Sequence, residues 1–234
     1  PYKSPNADRI PEKFRSPADE WTGFGGRLRL YIINSDQMEA TPAAIDEALK
    51  GDLSGMAIAK PLFGTTLTQY AVMWSEMGGD ALKAWHQDHT DRGWKIVQGN
   101  AVVKNLVASG KCAFGWTDTD DYFLAVDDNA PVDMLPVRTE SGRTICIPNT
   151  VAIIKGTERE AAAQKLVDFL LSEQIELALA NSRSRQVPLG TVDETRLPDQ
   201  VKQLQGWAAE GAPLNDLLEA RNACLKWLEE EFLE

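Results

Sequence analysis

Residues 56–77 read MAIAKPLFGTTLTQYAVMWSEM, and this stretch indicates the fold class. Its first four residues are apolar and predict a short buried strand. A proline and a glycine at positions 61 and 64 then predict a turn. The apolar residues that follow recur at helical spacing, at Leu67, Tyr70, Ala71 and Trp74. A strand that leads through a short turn into an amphipathic helix is the repeating unit of α/β folds.

The same alternation continues on both sides of this stretch. Upstream, the sequence predicts a strand at 27–34 and a helix at 42–50. Downstream, it predicts a helix at 81–90, a strand at 95–97, a helix at 101–109, a strand at 112–116 and a helix from Asp121. The rest is predicted as strands at 132–137 and 144–154 and helices at 158–172, 173–181 and 214–232. This order predicts a mostly parallel sheet with helices on both faces.

Two extended segments bracket the central part of the chain. Residues 27–34 lead into it and residues 132–137 lead out of it, which is typical of a hinge between two lobes. We therefore expect one lobe from residues 34–135 and another from residues 1–33 together with 136–234. The proline-rich start of the chain has no sustained periodicity, so we do not expect it to begin a domain with its own strand or helix.

Composition narrows the class of partner. Lys and Arg number 24 against 35 Asp and Glu, a formal charge of -11, so we expect no nucleic-acid partner, because phosphate binding needs clustered positive charge. No apolar run reaches the ~20 residues of a membrane span. The given sequence does not open with the charged start, apolar run and small-residue cleavage site of a signal peptide, so if the protein is exported, we expect that peptide to have been removed. The cysteines, Cys112, Cys146 and Cys224, lie too far apart for a metal knuckle, and we interpret them as buried apolar residues.

Two predicted helix starts carry donors for a ligand. Gly64, Thr65 and Thr66 open one helix, and Asn100 opens another after a neighbouring strand. Helix N-termini offer unpaired N–H groups and positive polarity, so an anionic or polar group can dock there. The alternative is that Thr65, Thr66 and Asn100 only cap their own helices.

An acidic turn follows the strand predicted at 112–116. Asp118, Asp120 and Asp121 lie within four residues, followed by the phenol of Tyr122. Like charges this close raise each other's pKa unless a cation or several donors offset them, and oxygen ligands of this kind suit hard cations. The alternative is that the aspartates cap the next helix. Trp116, just before the turn, is placed to line a cleft.

His86 and His89 invite a metal interpretation, because residues three apart share a helix face. The apolar residues of this predicted helix are Leu82 and Trp85, and the two histidines are predicted to lie on its polar side. We therefore expect both imidazoles on the protein surface.

Several of these segments together resemble a known family, the type-2 periplasmic solute-binding proteins of ferric-iron ABC importers. The resemblance covers nearly the whole chain. It is carried by the segments 10–15, 21–24, 59–66 (AKPLFGTT), 97–107 (VQGNAVVKNLV), 115–121 (GWTDTDD), 147–156 (IPNTVAIIKG) and 161–172.

The resemblance implies a two-lobed α/β fold of the type-2 periplasmic-binding kind, with a ligand in a cleft between the lobes. It implies a periplasmic or extracellular, monomeric protein that delivers its ligand to a membrane permease, with no catalytic group and no cofactor. The ligand would be Fe(III) or another hard cation, with or without a synergistic anion, or else a small organic solute. The implied ligand-binding residues are Gly64, Thr65, Thr66, Asn100, Trp116, Asp118 and Asn149, and the implied metal ligands are Asp120, Asp121 and Tyr122.

The chain departs from the family in two respects. It lacks the leading strand and helix of the first lobe, so we expect that lobe to be incomplete here. In addition, Asp120 and Asp121 stand where iron binders of the family carry two adjacent tyrosines, and Tyr122 comes one place later. A carboxylate pair is a less selective oxygen site than two phenolates.

Two other function classes share parts of the pattern. Asp118-Thr119-Asp120 after a strand resembles the nucleophile loop of haloacid-dehalogenase-like phosphotransferases, but that motif normally opens its domain and continues differently. A ligand-sensing domain of a regulator or receptor would share the cleft and would be distinguished by a fused helix-turn-helix or membrane segment.

Overall fold

The computed structural model describes residues 1–233 as a mixed α/β protein. The strands are β1 (Thr22–Asn34), β2 (Met56–Ala59), β3 (Lys95–Val97), β4 (Phe114–Asp118), β5 (Val132–Pro136) and β6 (Cys146–Val151). The α-helices are α1 (Pro42–Ala48), α2 (Gly64–Met77), α3 (Gly79–Asp91), α4 (Asn100–Ala108), α5 (Thr119–Asp127), α6 (Glu160–Leu170), α7 (Glu173–Ala180), α8 (Asp199–Ala209) and α9 (Leu218–Leu233). Three short 3-10 helices lie at Ala7–Arg9, Glu12–Phe14 and Glu194–Arg196.

One sheet contains the strands in the order β3-β2-β4-β1-β5, with β6 also paired to β1. β2 is parallel to β3 and β4, as expected for strands linked by crossover helices. β1, however, is antiparallel to both β4 and β5. Two strands that are both antiparallel to β1 run in the same direction, so β5 is aligned with β4 and α5 is the crossover between them. Among β1 to β5, the expectation of a mostly parallel sheet therefore fails only at β1, the strand by which the chain enters the central block.

The chain divides into two compact units. Unit 1 contains Pro1–Arg27 and Cys146–Asp216, and unit 2 contains Leu28–Ile145 and Leu217–Glu234. Within residues 1–233, no helix is both long and apolar enough to cross a membrane.

The C-terminal helix differs from the lobe expected from the sequence. The sequence predicts one lobe from residues 1–33 and 136–234, but residues 28–33 and 136–145 belong to unit 2, and so does α9, which packs on α2. The rings of Trp227 and Trp74 lie 6.0 Å apart, and Lys60 lies 5.2 Å above the ring of Phe232. Burial of aromatic side chains thus holds α9 against the central block, a contact that the position of α9 in the sequence does not predict.

The expectation that both histidines lie on the surface is also wrong. His86 and His89 are 2% and 5% exposed on α3. The His86 ring packs edge-on against Trp94 and Trp227, and its Nδ1 lies 2.8 Å from the hydroxyl of Tyr70. Burial lowers the pKa of His86 to about 4, so this imidazole is neutral at physiological pH.

Candidate ligand-binding site

The three predicted turns meet at one edge of the sheet in unit 2. β2 leads into α2 at Gly64, β3 leads into α4 at Asn100, and β4 ends at Asp118 where α5 begins. Since β2, β3 and β4 are parallel neighbours, their carboxyl ends lie side by side, where α/β sheets bind ligands.

The carboxylate of Asp118 connects these turns. It is buried, at 3% exposure, and accepts hydrogen bonds from three elements. The donors are Nη1 of Arg29 at 2.8 Å, Oγ1 of Thr65 at 2.6 Å and Nδ2 of Asn100 at 2.8 Å. Its negative charge is thereby balanced by a guanidinium and its oxygens are satisfied, as a buried carboxylate requires.

Arg29 completes this cluster and was missed by the sequence analysis. It lies opposite Asp118 in the β1–β4 register and is fully buried. Its Nε donates to Oε1 of Gln69 at 2.8 Å, and Nη2 lies 3.4 Å from Oγ1 of Thr66. In the sequence, Arg29 alternates with Leu28 and Leu30, which reads as the solvent face of a strand.

The capping alternative is wrong for the starts of α2 and α4. At α5, Asp118 holds the N-cap position without a side-chain capping bond, and Asp120 and Asp121 lie in the first turn, as the alternative expected. The N-cap residues of α2, α4 and α5 are Phe63, Gly99 and Asp118, and none makes a side-chain capping bond. Thr65 and Asn100 instead direct their side chains to Asp118. The polar side chains at the three helix starts therefore form one internally bonded cluster.

The acidic turn lies beside this cluster. Oxygen atoms of Asp118, Asp120 and Asp121 come within 4.8 Å of one another. Oγ1 of Thr117 donates to Asp121 at 3.1 Å. Burial, together with the negative charge of Asp120, nevertheless raises the pKa of Asp121 to about 6. The ionised form of Asp121 is thus disfavoured in this structure, and a nearby cation would lower the free energy needed to ionise it.

Tyr122 does not join the three carboxylates. Its ring packs against the apolar cluster that includes Leu30 and Ile32. Burial raises the pKa of its phenol, and the carboxylate of Asp133 on β5 raises it further. A helix turns its side chains by about 100° per residue, so Tyr122 points to a different side of α5 from its predecessors.

Asn149 lies in unit 1, where its side chain is fully used. Nδ2 donates to the carbonyl oxygens of Phe24 and Gly25, both at 3.0 Å, and to Oε1 of Gln186. Oδ1 accepts from Arg27. In unit 1, Asn149 therefore ties β6 to the start of β1.

The sequence profile of bacterial extracellular solute-binding proteins matches residues 34–176, more than half of the chain. The chain belongs to this family. Its predicted fold class, an α/β fold of the two-lobed periplasmic-binding type, is confirmed by structural similarity. The family and fold neighbours of this solute-binding protein are binding proteins and not enzymes.

Solved structures with this fold include two with different ligands in their descriptions. The ferric binding protein from Campylobacter jejuni is 19% identical, with a TM-score of 0.83 over 98% of this chain and 76% of its own. The periplasmic binding protein AfuA from Actinobacillus pleuropneumoniae, with exogenous fructose-6-phosphate bound, is 19% identical, with a TM-score of 0.75 over 99% and 76%.

A curated Haemophilus influenzae protein of uncharacterised function is 25% identical over 213 residues, or 83% of this chain. The solute-binding protein described here spans 59% of that relative's length.

Proposed function

We propose that this chain is the ligand-binding part of an ABC importer's solute-binding protein and that it captures a hard cation. Fe(III) is the first candidate. The observation that carries the proposal is the crowding of Asp118, Asp120 and Asp121, whose oxygens lie within 4.8 Å of one another. Carboxylate oxygens are ligands that hard cations prefer.

The charges of the turn support a role for two of the three aspartates as ligands. Asp118 is paired with the buried guanidinium of Arg29, so it adds little attraction for a cation. Asp120 and Asp121 repel each other, and the raised pKa of Asp121 reflects this repulsion as well as burial. A cation between their carboxylates would remove that repulsion and favour the ionised state of both.

A second candidate ligand is a phosphorylated organic solute. It is favoured by Arg29, Thr65, Thr66 and Asn100, which surround the N-termini of α2 and α4. Such sites are suited to phosphate groups. In this structure Asp118 accepts hydrogen bonds from three of them, Arg29, Thr65 and Asn100, so an incoming phosphate would have to displace its carboxylate. A synergistic anion beside a bound cation would also have to displace the Asp118 carboxylate from these donors. For this reason we rank the cation above the phosphorylated solute as the candidate ligand.

The proposed role extends to location and partner. We expect the protein to act outside the cytoplasmic membrane and to pass its ligand to a membrane permease, and we assign no catalytic step to it. The phosphotransferase interpretation is disfavoured because Asp118 would be the nucleophile. Its carboxylate is held by three donors and paired with Arg29.

The test is a thermal-shift and calorimetric comparison on the full chain after treatment with a chelator. Fe(III) supplied as its nitrilotriacetate complex, Mn(II), Ca(II) and fructose 6-phosphate are each added separately. A cation at a hundredfold excess over its Kd should stabilise the fold by about 2.7 kcal/mol. The double variant Asp120→Asn/Asp121→Asn should lose this shift, whereas Glu229→Gln/Glu230→Gln, which removes the same charge from exposed positions on α9, should keep it.

The same experiment separates the two ligands. Stabilisation by fructose 6-phosphate alone, abolished by Thr66→Ala/Asn100→Ala and unaffected by Asp120→Asn/Asp121→Asn, would replace the cation proposal with the phosphate proposal. A melting temperature that responds to none of the four compounds would overturn both.

A further inference from the structure

Helix α9 is attached to the rest of unit 2 through one of its faces. Cys224, Trp227, Leu228 and Phe232 recur at spacings of three and four residues and so share that face. Cys224 and Leu228 are fully buried, whereas the charged residues of α9, at positions 219, 221, 226 and 229–231, are exposed. α9 lies outside the sheet, so it can separate from α2 and α3 without breaking a strand pair.

The imidazole of His86 on α3 lies at the centre of this contact. Its ring centroid is 5.5 Å from that of Trp227 and 5.9 Å from that of Phe232, with the ring planes nearly perpendicular in both pairs. Its Nδ1 lies 2.8 Å from the hydroxyl of Tyr70 on α2. His86 is only 2% exposed. One buried imidazole thus links α2, α3 and α9.

The groups that face His86 from α2 and α3 do not compensate a positive charge on it. Burial raises the pKa of the Tyr70 phenol well above its usual value, so this group stays uncharged. His89 on α3 disfavours the charged form of His86, because the two imidazolium charges repel each other. Asp88 is directed elsewhere, with an oxygen 3.3 Å from Nδ1 of His89 and 2.6 Å from Nη2 of Arg92.

The face of α9 that packs towards His86 carries no carboxylate. Its titratable residue is Cys224, whose thiol is neutral because burial raises its pKa to about 12. Lys60, which lies 5.2 Å above the ring of Phe232, is itself a cation. The ring of Trp94, 5.2 Å from His86, adds apolar surface. Aromatic rings attract a cation less strongly than the water that burial removes, so a protonated His86 would be uncompensated here.

Proton uptake by His86 therefore opposes the docking of α9. Burial first, and His89 second, lowers the pKa of the His86 imidazole from 6.5 to about 4. Once α9 has separated, the imidazole meets water and its pKa rises towards the usual value. Between about pH 6.5 and 4, the separated state thus holds a proton that the docked state has released. Docking is strongest above this window and weakens as the pH falls through it.

We propose that His86 is a pH-sensitive switch for α9: the helix lies on α2 and α3 while the imidazole is neutral, and it separates from them when the imidazole takes up a proton. In the separated state, α2 and α3 expose aromatic side chains that α9 covers, among them Tyr70 and Trp74. This switch acts on α9 and does not depend on the ligand bound at the acidic turn.

The test is hydrogen–deuterium exchange of the full chain at pH 7 and pH 4.5, followed by mass spectrometry. Rates are divided by the intrinsic exchange rate at the same pH, which yields protection factors that can be compared. Peptides from α9 should lose protection roughly fiftyfold, as expected for uptake of one proton between the two pKa values of His86. Peptides from β1 and β4 should keep most of their protection, because their pairing does not involve α9.

Variants assign the effect to one imidazole. The amide of His86→Asn does not titrate and can still bond to Tyr70, so α9 should keep the same protection at both pH values. His89→Asn is the matched control, because it removes the other buried histidine of α3, whose ring packs against Trp85 and Trp94. It should retain the loss of α9 protection at pH 4.5.

The wild-type protein alone can overturn the proposal, even if a variant fails to fold. Unchanged protection of α9 at pH 4.5 would overturn it, and ¹⁵N NMR of the imidazole would then show whether the docked helix accommodates a protonated His86. Equal loss of protection in α9, β1 and β4 would mean that acid unfolds unit 2 as a whole. The same loss in His86→Asn as in the wild type would mean that another group carries the pH dependence.

Discussion

At the scale of single residues, the electrostatics of the site depend on which donors and charges surround each carboxylate. Asp118 faces Arg29 and two neutral donors, so its charge is stabilised by contacts from three elements. Asp121, three residues later, has one hydroxyl donor and acidic neighbours, and its pKa is raised to about 6. Chemically identical side chains in one turn thus have opposite electrostatic environments.

Asp121 should make the stability of the cation-free protein depend on pH. Because its folded pKa lies above the unfolded value of 3.8, the folded state holds a proton between about pH 4 and 6 that the unfolded state has lost, and stability falls as pH rises through that window. Asp121→Asn should therefore stabilise the protein at pH 7 by roughly 1 kcal/mol, after allowance for partial exposure, and change little at pH 3.5.

Urea unfolding at the two pH values, with chelator present, measures this effect. Glu230→Gln, at an exposed position on α9, controls for the change in net charge. A variant that is less stable than the wild type at pH 7 would show that Asp121 is already compensated without a cation.

At the scale of elements, the start of α2 depends on a glycine. Gly64 has a φ of 64°, in the left-handed region that costs an L-residue roughly 1–2 kcal/mol. A Cβ at this position would meet no atom within 4 Å, so backbone strain is the only penalty. This backbone conformation directs the chain into the helix whose first turn carries Thr65 and Thr66.

Gly64→Ala should destabilise the protein by about 1 kcal/mol. Gly99→Ala is the matched control, because Gly99 also lies at a helix start in open space, as the N-cap of α4, but has an extended φ of -179° that any residue adopts. It should be neutral or slightly stabilising. Chemical denaturation of both variants measures the difference, and equal effects would show that the left-handed turn is not the cause.

At the scale of the whole molecule, the three cysteines are distributed over both compact units, one in unit 1 and two in unit 2. Cys146 belongs to unit 1, whereas Cys112 and Cys224 belong to unit 2. All three thiols are buried, and burial raises the pKa of Cys146 and of Cys224 to about 12. Each thiol should therefore react only when its surroundings open, and each reports on the stability of its own unit.

We expect a cation held by Asp120 and Asp121 to slow the labelling of Cys112 and Cys224 more than that of Cys146. Opening of unit 2 would release the cation, whereas local opening of unit 1 would not. Pulsed alkylation followed by peptide mass spectrometry measures the three rates with and without the cation. Equal slowing of all three would contradict this prediction and would indicate that opening of either unit releases the ligand.

The sequence by itself determined the α/β class, the family and the element order up to α7, but it did not predict α8. Local patterns sufficed for this, because helices and strands follow the period of their apolar residues and the turns at Gly64 and Asn100 follow from short-range chemistry. The same patterns placed Thr65, Asn100 and Asp118 at neighbouring strand ends. They also placed Asp120 and Asp121 in one crowded turn.

Only the tertiary structure decided which side chains face each other. The Arg29–Asp118 pair depends on the register of β1 against β4, and the burial of His86 depends on α9 returning to α3 from the far end of the chain. The separation of Tyr122 from the acidic turn depends on what covers each side of α5. These contacts join residues far apart in the chain, and their free energy comes from packing and pairing that no local period encodes.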